Sequence, residues 1–272
     1  MSNSVRKRVL IGLMGIFLLL LSLSQHVTAV ANNSNGDLSI HVGIKKSSGM
    51  SNASIKGTFI MCQYGTNPKP WIGHAPLIEP NPWTGRLGLT LDGNGNGTYQ
   101  QLDDSSGYSN SGSFTYSVAG DGKLSVTGEG IEDVGIVSAD GNIFVLVDTN
   151  ASDNDLSIHV GIKKSSGMSN ASINGTFIMG EYGTDPNPWA GRIEHTFDGN
   201  GNGTYQQLEN SSGSTNSGSF TYSVASDGKL SVTGEGIEDV GIVSADGNMF
   251  VLVDTNDSIS VVPPIQLLLL GD

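Results

Sequence analysis

The residues whose types and spacing come nearest to a known chemistry are Asp198, Asn200 and Asn202, set among Gly199, Gly201 and Gly203, with Glu209 at the twelfth place. That is the spacing of a calcium loop, in which oxygens at alternate positions surround the ion. The first half of the chain carries the same run as Asp92, Asn94 and Asn96, with Asp103 in the twelfth place. In a helix-flanked calcium loop the twelfth ligand folds back on a helix. Here the following TYQQL reads as a strand rising roughly 3.3 Å per residue, which carries Glu209 away from the turn. The expectation is a glycine-rich hairpin turn, with at most a weak calcium site at Asp92, Asn94 and Asn96 and at Asp198, Asn200 and Asn202. No other cofactor is expected.

A second set of candidates is aromatic. Tyr64, Trp71 and Trp83 in the first half, and Tyr182 and Trp189 in the second, flank the longest loop of each half. Indole and phenol rings there could stack on a sugar or cap an apolar cavity, with His195 as a polar neighbour. His195 stands where the first half has Leu89, on an inward-facing position. His41 and its copy His159 fall on the polar face of a strand, and His74 lies in a loop. The acids Glu129, Glu132 and Asp133, repeated as Glu235, Glu238 and Asp239, sit beside a turn and read as solvated. No phosphate loop, CxxC or HExxH occurs, so no catalytic residue is assigned and no enzyme is expected. A hydrolase would require acids to converge in a cleft.

The elements that position these residues are duplicated. Residues 123–149 return as 229–255 with only Ile143 replaced by Met249, and residues 38–61 return as 156–179 with only Lys56 replaced by Asn174. Each copy is a chain of short segments with apolar residues at every second position: Leu38, Ile40, Val42 and Ile44, then Phe59 and Met61, then Leu87, Leu89 and Leu91, then Phe114, Tyr116 and Val118. That period of two marks half-buried strands, and the Gly, Asp and Asn clusters between them mark hairpin turns. FVLV is apolar on both faces, so its outer side should be covered too. No segment has a helical period. The fold class expected is all-β, with two tandem antiparallel meander domains of about eight short strands each, barrel-like, with sandwiches as the alternative.

The domains are read as residues 32–150, with a Trp- and Pro-bearing loop insertion at 72–83, and residues 151–257, followed by a strand or tail at 258–272. Closure of each barrel is ambiguous. The LSIHV strand at 38–46 either leads the first unit, or the copy at 156–164 completes the first while a degenerate copy at 258–262 completes the second. The VPP and apolar run near the C-terminus also resemble the sorting tails of exported bacterial proteins of the PEP-CTERM type, without the Glu or the basic end of that motif.

Residues 1–31 form a basic start, an apolar run and the small-residue pattern Ala29-Val30-Ala31, the pattern of an export signal. Removing the cations Arg6, Lys7 and Arg8 with it takes the formal charge from −13 to −16. Such a field repels nucleic acid and anionic membrane surfaces. The 38 glycines among 272 residues are about twice the usual share of roughly 7%, which fits a turn-rich β protein. Cys62 has Gly180 as its counterpart and can form no intrachain disulfide. The functional expectation is an exported, periplasmic, cell-surface or extracellular non-enzymatic repeat protein with a structural or adhesive role and no membrane span after cleavage. Extracellular glycan or matrix components are its expected partners. The alternative is a small-ligand or carbohydrate-binding barrel, decided by whether each barrel is hollow or filled.

Overall fold

The computed structural model describes residues 42–67, 81–105, 109–128, 130–149, 156–183, 189–211, 213, 215–234, 237–254 and 265–269. The strands run in chain order as β1 (Gly57–Asn67), β2 (Asn81–Leu91), β3 (Asn96–Asp104), β4 (Ser111–Val118), β5 (Lys123–Gly128), β6 (Ile131–Val137), β7 (Ile143–Asp148) and β8 (Leu156–Lys163). They continue as β9 (Asn174–Gly183), β10 (Trp189–Asp198), β11 (Asn202–Asn210), β12 (Ser217–Val224), β13 (Lys229–Gly234), β14 (Ile237–Val243), β15 (Phe250–Asp254) and β16 (Ile265–Leu269). Strands β1 to β8 close one antiparallel meander barrel and β9 to β16 close a second. Closure satisfies the backbone of every strand and leaves neither sheet an open edge.

The period-two pattern places the expected residues inside. Phe59, Met61, Leu87, Leu89, Leu91, Phe114, Tyr116, Leu124, Val126, Phe144 and Leu146 form the first core. Phe177, Met179, Ile193, Phe197, Phe220, Tyr222, Leu230, Val232, Phe250 and Leu252 form the second. A register shift between Arg86 and Leu87, repeated between Arg192 and Ile193, skips Leu102 of β3 and Leu208 of β11, a bulge at the same point in both barrels. The alternation of β2 and β10 runs on through it, with Leu87 and Ile193 inward, and each arginine stands on the outer face.

The closing strands resolve the ambiguity of the repeat. The LSIHV copy at 156–163 pairs with β1 along Phe59↔Lys163 to Thr66↔Leu156 and with β7 along Ile143↔Ile162 to Val147↔Ile158, so it completes the first barrel. The second barrel is closed by Ile265–Leu269 instead. The segment 258–262 lies outside the described residues. Repeat and barrel are therefore out of phase: the second sequence copy opens with the strand that ends the first barrel.

The faces of β8 also differ from the pattern's simplest reading. Its apolar residues Ile158, Val160 and Ile162 point away from the barrel axis, into a third cluster with Ile60, Cys62, Tyr64 and Val145 of the first barrel and Ile242, Met249, Val251 and Val253 of the second. His159, placed by sequence on a polar and hence outer face, is turned into the interior. The third cluster joins the barrels, and polar contacts frame it: Thr84 Oγ1 donates to Asp254 O at 2.9 Å, and Arg86 Nη1 to Gly241 O at 3.4 Å. Cys62 belongs to this cluster, and burial pushes its thiol up to about 12.

Gly161 fixes the seam of the first barrel, because a Cβ there would meet the Phe144 ring at 2.1 Å. Replacing Gly161 by Ala is expected to destabilise the protein by about 1–3 kcal/mol through overpacking. Urea unfolding of the variant against the parent measures it.

Candidate functional site

Strands β2 and β10 give the two barrel interiors different side chains at three successive inward positions. β2 contributes Leu87, Leu89 and Leu91, whereas β10 contributes Ile193, His195 and Phe197. In the second barrel Phe197 occupies the axis, with ring centroids 5.5 Å from Phe177, 5.2 Å from Phe220, 4.9 Å from Tyr222 and 5.3 Å from Phe250, all edge-on. His195 packs against Phe220 at 5.2 Å and against Phe197 and Tyr205 at 6.2 Å. Burial pushes its imidazole down to about 4, so it is a neutral part of an aromatic core.

The first barrel has leucines in those places and is hollow. Its cavity measures about 190 Å³. For comparison, a cavity of about 150 Å³ lined by aliphatic and aromatic residues holds benzene. One part of the wall is apolar, with Leu87, Leu89, Leu91, Phe114 and Phe144. The other is polar, with Gln63, Asp133, Asp148, Ser157 and His159, and Trp83 completes the lining.

Pairing of neighbouring strands assembles the polar wall. Gln63 of β1 stands opposite His159 of β8, and His159 stands opposite Leu146 of β7. Asp133 of β6 pairs with Asp148 of β7. His159 Nε2 and Ser157 Oγ are 2.8 Å apart, and His159 Nδ1 lies 3.4 Å from Asp133 Oδ2. That second separation is an ion-pair distance without hydrogen-bond geometry, so the buried Nδ1 keeps an unmade hydrogen bond. Carboxylate, imidazole and hydroxyl thus follow one another along the cavity wall, in the order of a proton relay.

The same seam in the second barrel is acidic. Glu181 replaces Gln63, Asp239 and Asp254 repeat the aspartates, and Gln266 takes the register position of His159. Burial pushes Glu181 up to about 7. Burial, then the charges of Asp254 and Glu181, push Asp239 up to about 8.

The aromatic candidates scatter. Trp83 lines the first cavity, Trp189 lies half-buried on β10, and Trp71 is outside the described residues. Tyr64 and Tyr182 meet each other edge-on at 5.5 Å on the outer faces of the barrels, away from the cavity. Asp133 and His159 carry the site although the sequence pattern had placed both in solvent. The signal for them was weak: a lone His in a strand whose apolar residues already formed a full face.

The glycine loops use their aspartates internally. Asp92 Oδ1 accepts from the backbone N–H groups of Asn94 at 2.7 Å and Asn96 at 2.9 Å, and Oδ2 accepts from Asn96 Nδ2 at 2.9 Å. Asp198 repeats this with Asn200 and Asn202. The Asn side-chain bond, followed by the backbone bonds, holds both carboxyls down to about 2. The acids at the twelfth place pair across the sheet instead of returning to the loop, Asp103 with Arg86 and Glu209 with Arg192. No group of three or more metal-ligating side chains occurs among the described residues.

No family model matches the chain, and no curated protein matches its sequence. Two solved structures share a likeness in fold. One is a protein of unknown function from the DUF3598 family of Nostoc punctiforme, at 12% identity over 80% of this chain and 97% of that one, with a TM-score of 0.29. The other is the isotype 1 transferrin binding protein B of serogroup B Neisseria meningitidis, at 8% identity over 92% of this chain and 83% of that one, with a TM-score of 0.35.

The acidic seam makes stability depend on pH. A carboxyl raised in the folded state leaves the fold unpenalised below its unfolded value near 4, and the penalty grows as pH rises through about 7 to 8. The second barrel is therefore expected to melt higher at pH 5 than at pH 8.5. Glu181→Gln, which copies Gln63, is expected to stabilise the protein by about 1–3 kcal/mol at pH 8.5 and to flatten the profile. Thermal unfolding across that range measures both.

Proposed function

We propose that the chain is an exported tandem β-barrel protein whose first barrel binds one small molecule with an apolar body and a hydrogen-bond-donating or cationic head. The observation that carries this reading is the hollow first interior beside a second whose axis is filled by Phe197. An eight-stranded barrel has an interior just wide enough to be packed by its own side chains or to hold one small ligand. The leucine wall takes the apolar body, while Asp133, Asp148 and the unpaired Nδ1 of His159 meet the head. The charge at this wall favours a donor over a carboxylate. In this reading the filled second barrel supplies the wall against which the first is packed. The export pattern of residues 1–31 supports a location outside the cytoplasm.

Small aromatic and alkyl amines, their neutral alcohols and their carboxylates form the test panel, read by calorimetry and by Trp fluorescence. Amines are expected to bind best. Leu91→Phe copies Phe197 and is expected to weaken binding at least tenfold while the protein stays folded. Equal binding by parent and variant would overturn the proposal. The Ser157, His159 and Asp133 sequence favours a second reading, acyl-ester hydrolysis with Ser157 as nucleophile. Turnover of a short-chain nitrophenyl ester that disappears in Ser157→Ala would establish it, and no turnover in the parent would remove it.

A further inference from the structure

Residues 38–46, LSIHVGIKK, repeat residues 156–164 letter for letter. The second copy is β8, the strand that closes the first barrel. The first copy closes neither barrel: its described part, 42–46, belongs to no strand of either sheet. Among the described residues this strand sequence serves as a barrel seam once, at β8.

Both copies are anchored in the same way at their C-terminal ends. Lys46 Nζ pairs with Asp121 at 3.4 Å as Lys164 Nζ pairs with Asp227 at 2.8 Å. Met50 N donates to Gly120 O at 3.1 Å as Met168 N donates to Ser226 O at 3.1 Å. Val42 and Ile44 pack in the same apolar cluster as Ile143, Val145, Val160, Ile162, Met249 and Val251. The chain thus enters the first barrel as it enters the second. Upstream of the second entry lies a neighbouring barrel, closed by that strand.

A matching acceptor exists in the second barrel. β9 and β15 repeat β1 and β7 almost residue for residue, yet the strand between them is Ile265–Leu269. Among the described residues it pairs along Ile178↔Leu269 to Tyr182↔Ile265 and Val251↔Leu267 to Val253↔Ile265, a shorter ladder than that of β8. Register puts Leu268 opposite Met179, where the first barrel sets Gly161 opposite Met61 to make room for Phe144. Phe250, the copy of Phe144, is fully buried in the second barrel, and the LSIHVGIKK sequence would bring Gly43 to that place.

The outer faces are complementary in the same sense. Val253 is completely covered by the first barrel, whereas its counterpart Val147 is 41% exposed. Arg86 is buried against Gly241 O, whereas the side chain of its counterpart Arg192 is 52% exposed. Val147 and Arg192 are therefore exposed counterparts of residues that the barrel-to-barrel interface buries, while Tyr182 on the outer face of β9 already meets Tyr64.

We infer that the molecules assemble head to tail by strand donation, residues 38–44 of one copy replacing Ile265–Leu269 in the second barrel of the next. The Val147 face then covers the outer face of β9, as the Val253 face covers β1. The contact uses different surfaces on the two partners, so it is heterologous and grows as a chain of barrels. It involves the second barrel's seam and is independent of ligand binding in the first.

Gly43 separates this proposal from a general effect on folding. A Cβ at Gly43 meets nothing within 4 Å in the single chain, but its counterpart Gly161 has the Phe144 ring at 2.1 Å. The chain from Asn32 onward is unfolded in guanidinium, refolded at high concentration so that each seam selects its partner during folding, and examined by sedimentation velocity. The parent is expected to form a ladder of oligomers. Gly43→Leu is expected to stay monomeric with an unchanged melting temperature. A synthetic LSIHVGIKK peptide added during refolding should cap the ladder, and the same peptide with Leu for Gly should not. A parent that refolds only to monomer, oligomers that persist in Gly43→Leu, or equal effects of the two peptides would overturn the inference.

Discussion

Burial of one short strand on both faces is the constraint on which the rest of the molecule depends. β8 turns Ile158, Val160 and Ile162 into the cluster between barrels and turns Ser157 and His159 into the first interior. Fully covering a Val or Ile contributes about 1.5–3 kcal/mol, so the buried Val160 and Ile162, with the half-buried Ile158, outweigh the cost of placing a polar pair in a cavity that gives them partners. The strand also crosses from one repeat to the other, since its sequence opens the second copy while its hydrogen bonds complete the first barrel. The tandem architecture is in this sense a single structure with a shared seam, joined by packing that neither barrel could supply alone.

Duplication gave both barrels one backbone, and a few substitutions then set them to different tasks. Leu91 against Phe197 decides whether the axis is empty or occupied, because a ring in that position reaches four others around it. Gln63 with His159, against Glu181 with Gln266, decides the charge of the seam. In the first barrel an imidazole stands beside Asp133. In the second, burial raises both Glu181 and Asp239, and the charges of Asp254 and Glu181 raise Asp239 further, so these two buried carboxyls favour their neutral forms.

Sequence alone determined the strand character of the chain, its antiparallel meander order, many of the inward-facing residues of the cores and the turn role of the glycine loops. Each of these rests on local information: a period of two for strands, glycine and Asx chemistry for turns, and near-identity for the repeat. Asp92 and Asp198 illustrate it, since their partners lie two and four residues away. Only the tertiary structure decided which face of β8 points to the axis, which barrel that strand completes, and whether an interior is filled. Alternation names two faces but does not say which neighbour covers them. For β8 the apolar face was claimed by another barrel, so the polar face, with His159, was left to line the cavity. Hollowness likewise follows from the sum of ring volumes contributed by strands far apart in the chain, and Leu91 reads in the sequence as an ordinary core leucine until Phe197 is seen filling the same place.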